Sequence, residues 1–370
     1  MLFALSMHRF NCYQFLQKTP DKKFAGQECE EETDNEIRSN AASARTGGAP
    51  LPERELIAML KYVSKRILSS LVLLVLVTTL TFVMVFGGAD NVAQNILGEN
   101  ATDAQIAALE AKLGIDRPLY EQYGDWVANA VQGDLGQSWT MGESVSRIVS
   151  GRLTVTLSMV TVAVITIGII SSLLGITAAV KGGWADRVIQ VLSVIGFSLP
   201  NFWLGLILVV VFALNLRWFP ATGYVDFSTS PIGWAAALTL PVAALVLSGI
   251  ASASQQVRGA MIDALRQDYV RTLRAGGIRP SSVLFRHALR NAMPAALTVL
   301  SVQFIALLGG AAIIERVFAI PGLGSVTVQA ALSGDVPVLM GVVVTMIILV
   351  VFVNIAIDLA NAWVNPKVRL

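Results

Sequence analysis

The sequence predicts an all-α integral membrane protein with six transmembrane helices and a small extracytoplasmic domain between the first and second helices. Two observations lead to this fold class. Of the 370 residues, 54% are hydrophobic and only 14% are charged, whereas a soluble domain carries about 25% charged residues. The charges are also gathered into blocks, and the gaps between the blocks reach the length of about 18 apolar residues that a membrane-spanning helix needs.

Six apolar segments follow one another along the chain. Each is long enough to cross a hydrocarbon core of about 30 Å at about 1.5 Å per residue. None alternates polar and apolar residues with a period of two, so helices are predicted rather than the strands of a barrel. The segments are Ile67–Phe86, Leu153–Val180 and Val188–Leu216, then approximately Ile232–Val257, Pro294–Ile314 and Val338–Ile357.

Two stretches outside these segments have their own character. Residues 1–58 are polar and charged, which predicts a disordered tail. The alternative is a misassigned start, because Met59 directly precedes the first apolar segment and residues 59–370 would then form the whole membrane domain. Residues 88–151 contain aromatic side chains and a helical pattern after Thr102, a suitable N-cap residue. A small folded domain is therefore predicted there, with a mobile loop as the alternative.

Basic residues are distributed unevenly around the segments, and this asymmetry predicts the orientation of the chain. The two short loops on one side hold only Arg217 and Arg316. Both termini are therefore predicted to be cytoplasmic, and residues 88–151 external. The basic residues on the predicted cytoplasmic side are Lys61, Lys65, Arg66, Lys181, Arg187, Arg258, Arg266, Arg271, Arg274, Arg279, Arg286, Arg290, Lys367 and Arg369.

Residues 258–293, cytoplasmic in this topology, are too long for a simple turn. Apolar residues recur at helical spacing from Met261 to Leu273. Gly276-Gly277 is suited to end this helix, and Pro280 is suited to begin a second one. Two helices that meet at a sharp turn are therefore predicted. The alternative is an amphipathic loop that lies on the lipid surface.

Little in the sequence predicts chemistry. Cys12 and Cys29 lie in the N-terminal tail, and His8 and His287 lack the spacing of metal ligands. No Gly-Lys pair occurs, so the chain has no P-loop and its energy must come from a partner or an ion gradient. The apolar segments hold almost no ionisable residues apart from Asp358 at the end of the last one, which disfavours a gradient-driven carrier.

Two runs within residues 258–293, Asp268–Gly277 and Phe285–Ala292, resemble the EAA loop of importer permeases. Over residues 59–370 the chain is similar to the B-type permease subunit of the dipeptide/oligopeptide/nickel family of ATP-binding-cassette importers. Leu273 departs from the usual small residue, and Gly276 stands where the family often has Lys. The other stretches that match in the same order are Leu113–Leu119, Gly133–Ser138, Ser198–Trp203, Pro321–Gly324 and Asp335–Val338.

The resemblance implies a type I importer permease fold in which residues 258–293 couple the chain to an ATPase. It implies as partners a second permease subunit, two ATPase subunits and an extracytoplasmic substrate-binding protein, in the cytoplasmic membrane of a bacterium. No cofactor, metal ion, catalytic residue or enzymatic activity of the chain itself is expected. The coupling residues that it implies are Tyr269, Arg271, Thr272, Ala275, Gly277, Pro280, Arg286, His287 and Asn291.

The predicted function is that of a permease subunit forming half of the transmembrane pathway for peptides or a related small solute. The alternative is a secondary carrier or channel that acts without ATPase subunits. Asn201 and Gln303 either face the pathway or hydrogen-bond between helices. Pro200 and Pro241 either bend helices along the pathway or are simply tolerated. Asp335 either contacts the binding protein or is solvated. The candidates for lining the pathway are Ser198, Pro200, Asn201 and Gln303.

Overall fold

The computed structural model describes residues 51–86, 92–98 and 100–364, and their regular structure is helical. The chain divides into residues 1–61 and 62–370. Of the first part only the backbone from residue 51 onward is described, so most of the predicted 1–58 tail lies outside the described residues. In chain order the helices are α1 (Leu51–Phe86), α2 (Val92–Leu97), α3 (Asp103–Leu113), α4 (Leu119–Val131), α5 (Val145–Lys181), α6 (Gly183–Ser198), α7 (Asn201–Leu208), α8 (Pro231–Arg266), α9 (Asp268–Ala275), α10 (Leu289–Val317), α11 (Leu323–Ser333) and α12 (Val336–Val364).

Within the described residues, α1, α5, α8, α10 and α12 are each long and apolar enough to cross a membrane. The predicted third segment, Val188–Leu216, is not one straight helix. It consists of α6 and of α7 with its π-helical continuation to Asn215, and the two parts meet at 94°. The bend lies at Leu199 and Pro200, because proline at residue 200 cannot donate an intrahelical hydrogen bond and disfavours helical backbone at the preceding residue.

Helices α5, α8 and α10 supply most of the largest apolar core, where Ile167 and Leu245 are fully buried. Glycines allow α5 and α8 to approach closely. A Cβ atom at Gly175 would lie 2.8 Å from the Ser254 carbonyl oxygen, and one at Gly249 would lie 2.4 Å from Ile167 Cδ1. Such small-residue contacts stabilise helix pairs in lipid, where apolar burial alone gives no preference for a helix neighbour.

The helix directions define two ends of the bundle. Ile167 and Gly175 of α5 lie beside Gly249 and Ser254 of α8 in the same order, so these two helices run in the same direction. Helix α10 runs the opposite way, because Glu315 near its end contacts Thr156 near the start of α5. The C-terminus of α8, followed by α9, therefore lies at one end of the bundle, called the α9 end. The start of α5 and helix α11 lie at the other, called the α11 end.

Residues 88–151 contain α2, α3 and α4, while residues 87–91 and 99 lie outside the described residues. Thr102 precedes α3 as predicted, and its backbone N–H donates to the Gln105 side chain over 3.0 Å. Helix α4 packs on the last turns of α1. The Tyr123 ring lies 5.1 Å from the Phe82 ring, and Thr79 donates to the Tyr123 hydroxyl over 2.9 Å.

Candidate functional site

Residues 258–293, at the α9 end, are divided among helices differently from the predicted pair of helices. Residues 258–266 continue α8 and residues 289–293 belong to α10, so only the chain between Gln267 and Ala288 stands apart from the long helices. The periodic pattern from Met261 to Leu273 is interrupted at Gln267, whose backbone is extended. Apolar residues on both sides of the break are nevertheless buried, among them Met261 and Val270.

Helix α9 is short and is anchored by one face. Val270 is only 1% exposed, and the Tyr269 hydroxyl donates to the Ala264 carbonyl over 3.3 Å. The side chains of Arg271, Thr272 and Ala275 are exposed. Among the described residues, the side chains of this face form no ion pair apart from a long contact of 3.9 Å between Arg271 and Asp268. The face is therefore free to meet another molecule.

Gly277 closes α9 in a left-handed turn. Its φ angle is +77°, its N–H donates to the Arg274 carbonyl over 3.0 Å, and the N–H of Ile278 donates to the Leu273 carbonyl over 3.2 Å. This pair of bonds is the Schellman arrangement, which favours glycine at its left-handed position. A Cβ atom at Gly277 would meet nothing within 4 Å, so the surface of the turn is open.

The return from the turn begins at Pro280, which occupies the first helical position as predicted. The backbone then forms a π-helical stretch, Val283–Ala288, that leads directly into α10. Val283 and Ala288, the first and last residues of this stretch, are buried. Of the other predicted coupling residues, Arg286 and Asn291 are exposed and His287 is half-buried. The structure thus brings the predicted coupling residues to one end of the bundle, although not onto one face.

Three of the four predicted pathway residues, Ser198, Pro200 and Asn201, lie at the bend between α6 and α7. Ser198 is exposed, and its hydroxyl donates back to the Val194 carbonyl over 2.8 Å. Asn201 accepts a hydrogen bond of 2.9 Å from Ser248 of α8, so this residue makes the interhelical contact that was one of its two interpretations. Gln303 is half-buried on α10, with Oε1 3.4 Å from the position of a Cβ atom at Gly249.

Glu315, a buried carboxylate that the sequence analysis did not single out, lies at the α11 end. Helix α10 extends three residues beyond the predicted limit at Ile314, so Glu315 lies within it and is 0% exposed. It accepts hydrogen bonds from the Thr156 hydroxyl over 2.6 Å and from the Ser325 N–H over 2.8 Å. A carboxylate is favourable at the N-terminus of a helix such as α11. A carboxylate at the edge of an apolar run needs such donors if it is buried. The position of Glu315 next to an apolar run could therefore have been used to predict a buried, hydrogen-bonded carboxylate.

Asp335 was predicted either to contact a binding protein or to be solvated, and the structure shows that it is not solvated. It is 0% exposed and lies between α11 and α12. Its carboxylate accepts hydrogen bonds from the loop that precedes α5, including one of 2.8 Å from Thr140 Oγ1. The sequence did not predict the burial of Asp335, because a polar residue between two apolar helices is typical of a solvated turn.

Comparisons with known proteins agree with this architecture. The family model described as the binding-protein-dependent transport system inner membrane component matches residues 171–370, and the model of the N-terminal part of such membrane components matches residues 59–160. A putative peptide transport system permease protein of Brucella abortus is 36% identical over 84% of this chain and 99% of that protein. The oligopeptide permease AppB of Bacillus subtilis is 34% identical over 84% of this chain and 100% of its own length.

Two further proteins are similar. The di/tripeptide transport system permease protein DppB of Pseudomonas aeruginosa is 34% identical, over 84% of this chain and 99% of its own length. Among solved structures, a chain of the MetNI methionine ABC transporter in an inward-facing conformation superposes with a TM-score of 0.47. That chain is 20% identical, and the match covers 59% of this chain and 96% of that one.

The helices and the matched regions together define a multi-pass membrane permease, as the predicted fold class requires. The chain belongs to the family of inner membrane components of binding-protein-dependent transport systems. It is a permease subunit of an ATP-binding-cassette importer, which confirms the predicted family and function. The alternative of a secondary carrier or channel gains no support from these relatives.

Proposed function

We propose that this chain forms half of a peptide-import pathway in the bacterial cytoplasmic membrane and is driven by ATPase subunits docked at the α9 end. The observation that carries the coupling part of this proposal is the exposed α9 face, closed by the left-handed turn at Gly277. A short helix anchored to long helices at both sides can fit into a groove on a partner and pass its movement on to those helices.

Peptides are the proposed substrate class because the names of several relatives specify them. The relatives from Bacillus subtilis and Pseudomonas aeruginosa are named for oligopeptides and for di- and tripeptides. A relative from Escherichia coli is named for glutathione, which is itself a small peptide. The proposed external binding protein would select among such solutes, and this chain would supply the passage.

The proposed complex contains this chain, a second permease subunit, two ATPase subunits and the binding protein. ATP hydrolysis belongs to the ATPase subunits in this proposal, because the sequence has no Gly-Lys pair from which a P-loop could be built. We propose that coupling to the ATPase uses residues of the α9 end. Arg271, Thr272 and Ala275 are the best placed of them, because they share the exposed part of α9.

We also propose that both termini and the α9 end are cytoplasmic and that residues 88–151 are external. The exposed arginines of the α9 end, Arg271, Arg274, Arg279, Arg286 and Arg290, support this orientation. The pathway is proposed to pass the bend between α6 and α7. Ser198 and Pro200 are exposed there, while Asn201 is held by Ser248 and would set the position of the bend.

The substrate proposal is tested by uptake in a strain that lacks this chain but keeps its partners. Labelled dipeptides, pentapeptides and glutathione are supplied in turn, with and without a plasmid that carries the chain. We expect uptake of at least one peptide to depend on the plasmid and to be inhibited by an excess of the unlabelled peptide. If uptake of none of these peptides depends on the plasmid, the proposed substrate class is overturned.

A further inference from the structure

Asp335 is the most completely hydrogen-bonded carboxylate at the α11 end among the described residues. Its Oδ2 atom accepts from the Ser138 hydroxyl over 2.5 Å, from the Thr140 hydroxyl over 2.8 Å and from the Thr140 N–H over 3.1 Å. Its Oδ1 atom accepts from the N–H groups of Trp139 and Val338 over 3.3 and 3.4 Å. Each of these groups donates a hydrogen to the carboxylate, and the residue is 0% exposed.

The donors belong to a loop that is itself ordered. Ser138 N–H donates to the Glu143 carbonyl over 2.9 Å, and the Ser138 hydroxyl accepts from the Met141 N–H over 2.8 Å. The loop connects α4 with α5, and Trp139 packs against the cluster of Phe82, Val336 and Met340. Asp335 therefore joins the segment that carries α3 and α4 to the start of α12.

Helix α11 ends at Ser333, two residues before Asp335, and is fixed at its start as well. The Ser325 N–H donates to Glu315, and the Leu323 N–H donates to the Thr156 hydroxyl over 2.8 Å. Gly334 closes the helix with a φ angle of +70° and leads directly into Asp335. Buried carboxylates thus hold both ends of α11, one to the transmembrane helix α5 and the other to the loop before it.

We propose that Asp335 is a positioning residue that makes α11 and the α3–α4 segment move as one body, so that docking of the loaded binding protein outside is transmitted to α11. This inference rests on the proposed function. A carboxylate is required because all its partners are donors. In Asp335→Asn, the amide nitrogen would face a backbone N–H in either orientation, either that of Thr140 or those of Trp139 and Val338.

The test uses the complete complex in proteoliposomes, with ATP hydrolysis measured alone and with peptide-loaded binding protein. We expect Asp335→Asn to keep basal hydrolysis. The stimulation of hydrolysis by the binding protein should fall about tenfold, because a buried N–H donor left without an acceptor is costly. Thr140→Val should lose a smaller part of the stimulation, since it removes one hydroxyl donor. Thr140→Ser, which keeps that hydroxyl, is the matched control and should retain the wild-type stimulation.

Two results would overturn the inference. One is wild-type stimulation in Asp335→Asn; the other is an equal fall of basal and stimulated hydrolysis, which indicates a merely structural role. If Asp335→Asn does not assemble, the pair of Thr140 variants decides, and equal stimulation in both overturns the inference. A wild-type complex that the binding protein does not stimulate contradicts the proposed function itself, so the two failures are distinguishable.

Discussion

Arg258 of α8 forms a bidentate ion pair with Asp186 of α6. Arg258 Nη2 donates to Asp186 Oδ2 over 2.6 Å, and Arg258 Nε donates to the other carboxylate oxygen. The two side chains are 25% and 16% exposed. Arg258 lies two turns before the end of the helix that leads to α9, and Asp186 lies in the first turn of the bent α6–α7 pair. The pair therefore links the proposed coupling helix to the proposed pathway.

We predict that Asp186→Asn lowers ATP-driven uptake several-fold while the chain still inserts. The amide cannot accept both guanidinium contacts, so movement of α8 would reach α6 less effectively. Uptake and membrane levels are measured for Asp186→Asn, Arg258→Gln and the exchanged pair Asp186→Arg with Arg258→Asp. Partial recovery in the exchanged pair supports the link, whereas full activity in both single variants would remove the role assigned to it.

The turn at Gly277 gives a second prediction. Gly277→Leu should leave the membrane helices inserted but should detach the ATPase or uncouple its hydrolysis from uptake. A non-glycine residue in the left-handed region costs about 1–2 kcal/mol, and the added side chain would point into the open surface that the partner is proposed to cover. Co-purification with the ATPase and ATP-driven uptake are the measurements.

Gly276→Ala is the matched control for this turn. Gly276 has a φ angle of −75°, and a Cβ atom there would make only ordinary contacts with Thr272 and Leu273. The control should therefore behave as the wild type. If Gly277→Leu co-purifies and transports like the control, the turn has no coupling role and the loop is better described as lying on lipid headgroups.

A third prediction concerns stability at the α11 end. A Cβ atom at Gly322 would lie 2.2 Å from Glu315 Oε1, so Gly322→Ala must displace a fully buried carboxylate from its donors. We expect a loss of about 1–3 kcal/mol, the usual cost of overpacking, seen as a lower midpoint of thermal unfolding in detergent. Gly309→Ala adds the same methyl group where nothing lies within 4 Å. Equal midpoints for the two variants would contradict this packing.

The proposed orientation is tested by cysteine labelling in a chain whose own cysteines are replaced by Cys12→Ser and Cys29→Ser. Asn129→Cys and Ser281→Cys introduce single thiols at two exposed positions near opposite ends of the bundle. In intact cells, an impermeant maleimide should react with the thiol at position 129 and not with that at position 281. The reverse pattern would invert the topology.

Much of the fold could be predicted from local sequence patterns. A long apolar run in lipid must satisfy its backbone hydrogen bonds internally, and a helix is the simplest way to do so. The Pro280 helix start and the glycine cap before it were predicted for the same reason, since they depend on the residues next to them. A bend at Pro200 was one of two interpretations of that residue, but its size of 94° was not predicted, because proline in a membrane helix is equally compatible with a mild kink.

The environments of Glu315 and Asp335 depend on partners far away in the chain. Thr156 is 159 residues from Glu315, and Ser138 is 197 residues from Asp335. A single sequence does not show which distant residues form such pairs. It therefore identified neither the buried carboxylate of Glu315 nor the burial of Asp335, whereas the residues around Gly277, which interact within one turn, were located correctly.

We propose that this chain forms part of a passage powered by ATP rather than by an ion gradient. The most direct test is uptake into proteoliposomes that contain the complete complex, with binding protein and labelled peptide outside and ionophores present to collapse all ion gradients. We predict that uptake continues with ATP inside and stops when ATP is replaced by a non-hydrolysable analogue. Uptake that does not depend on ATP and stops when the ion gradients are collapsed would show that a gradient drives transport, which would contradict this proposal.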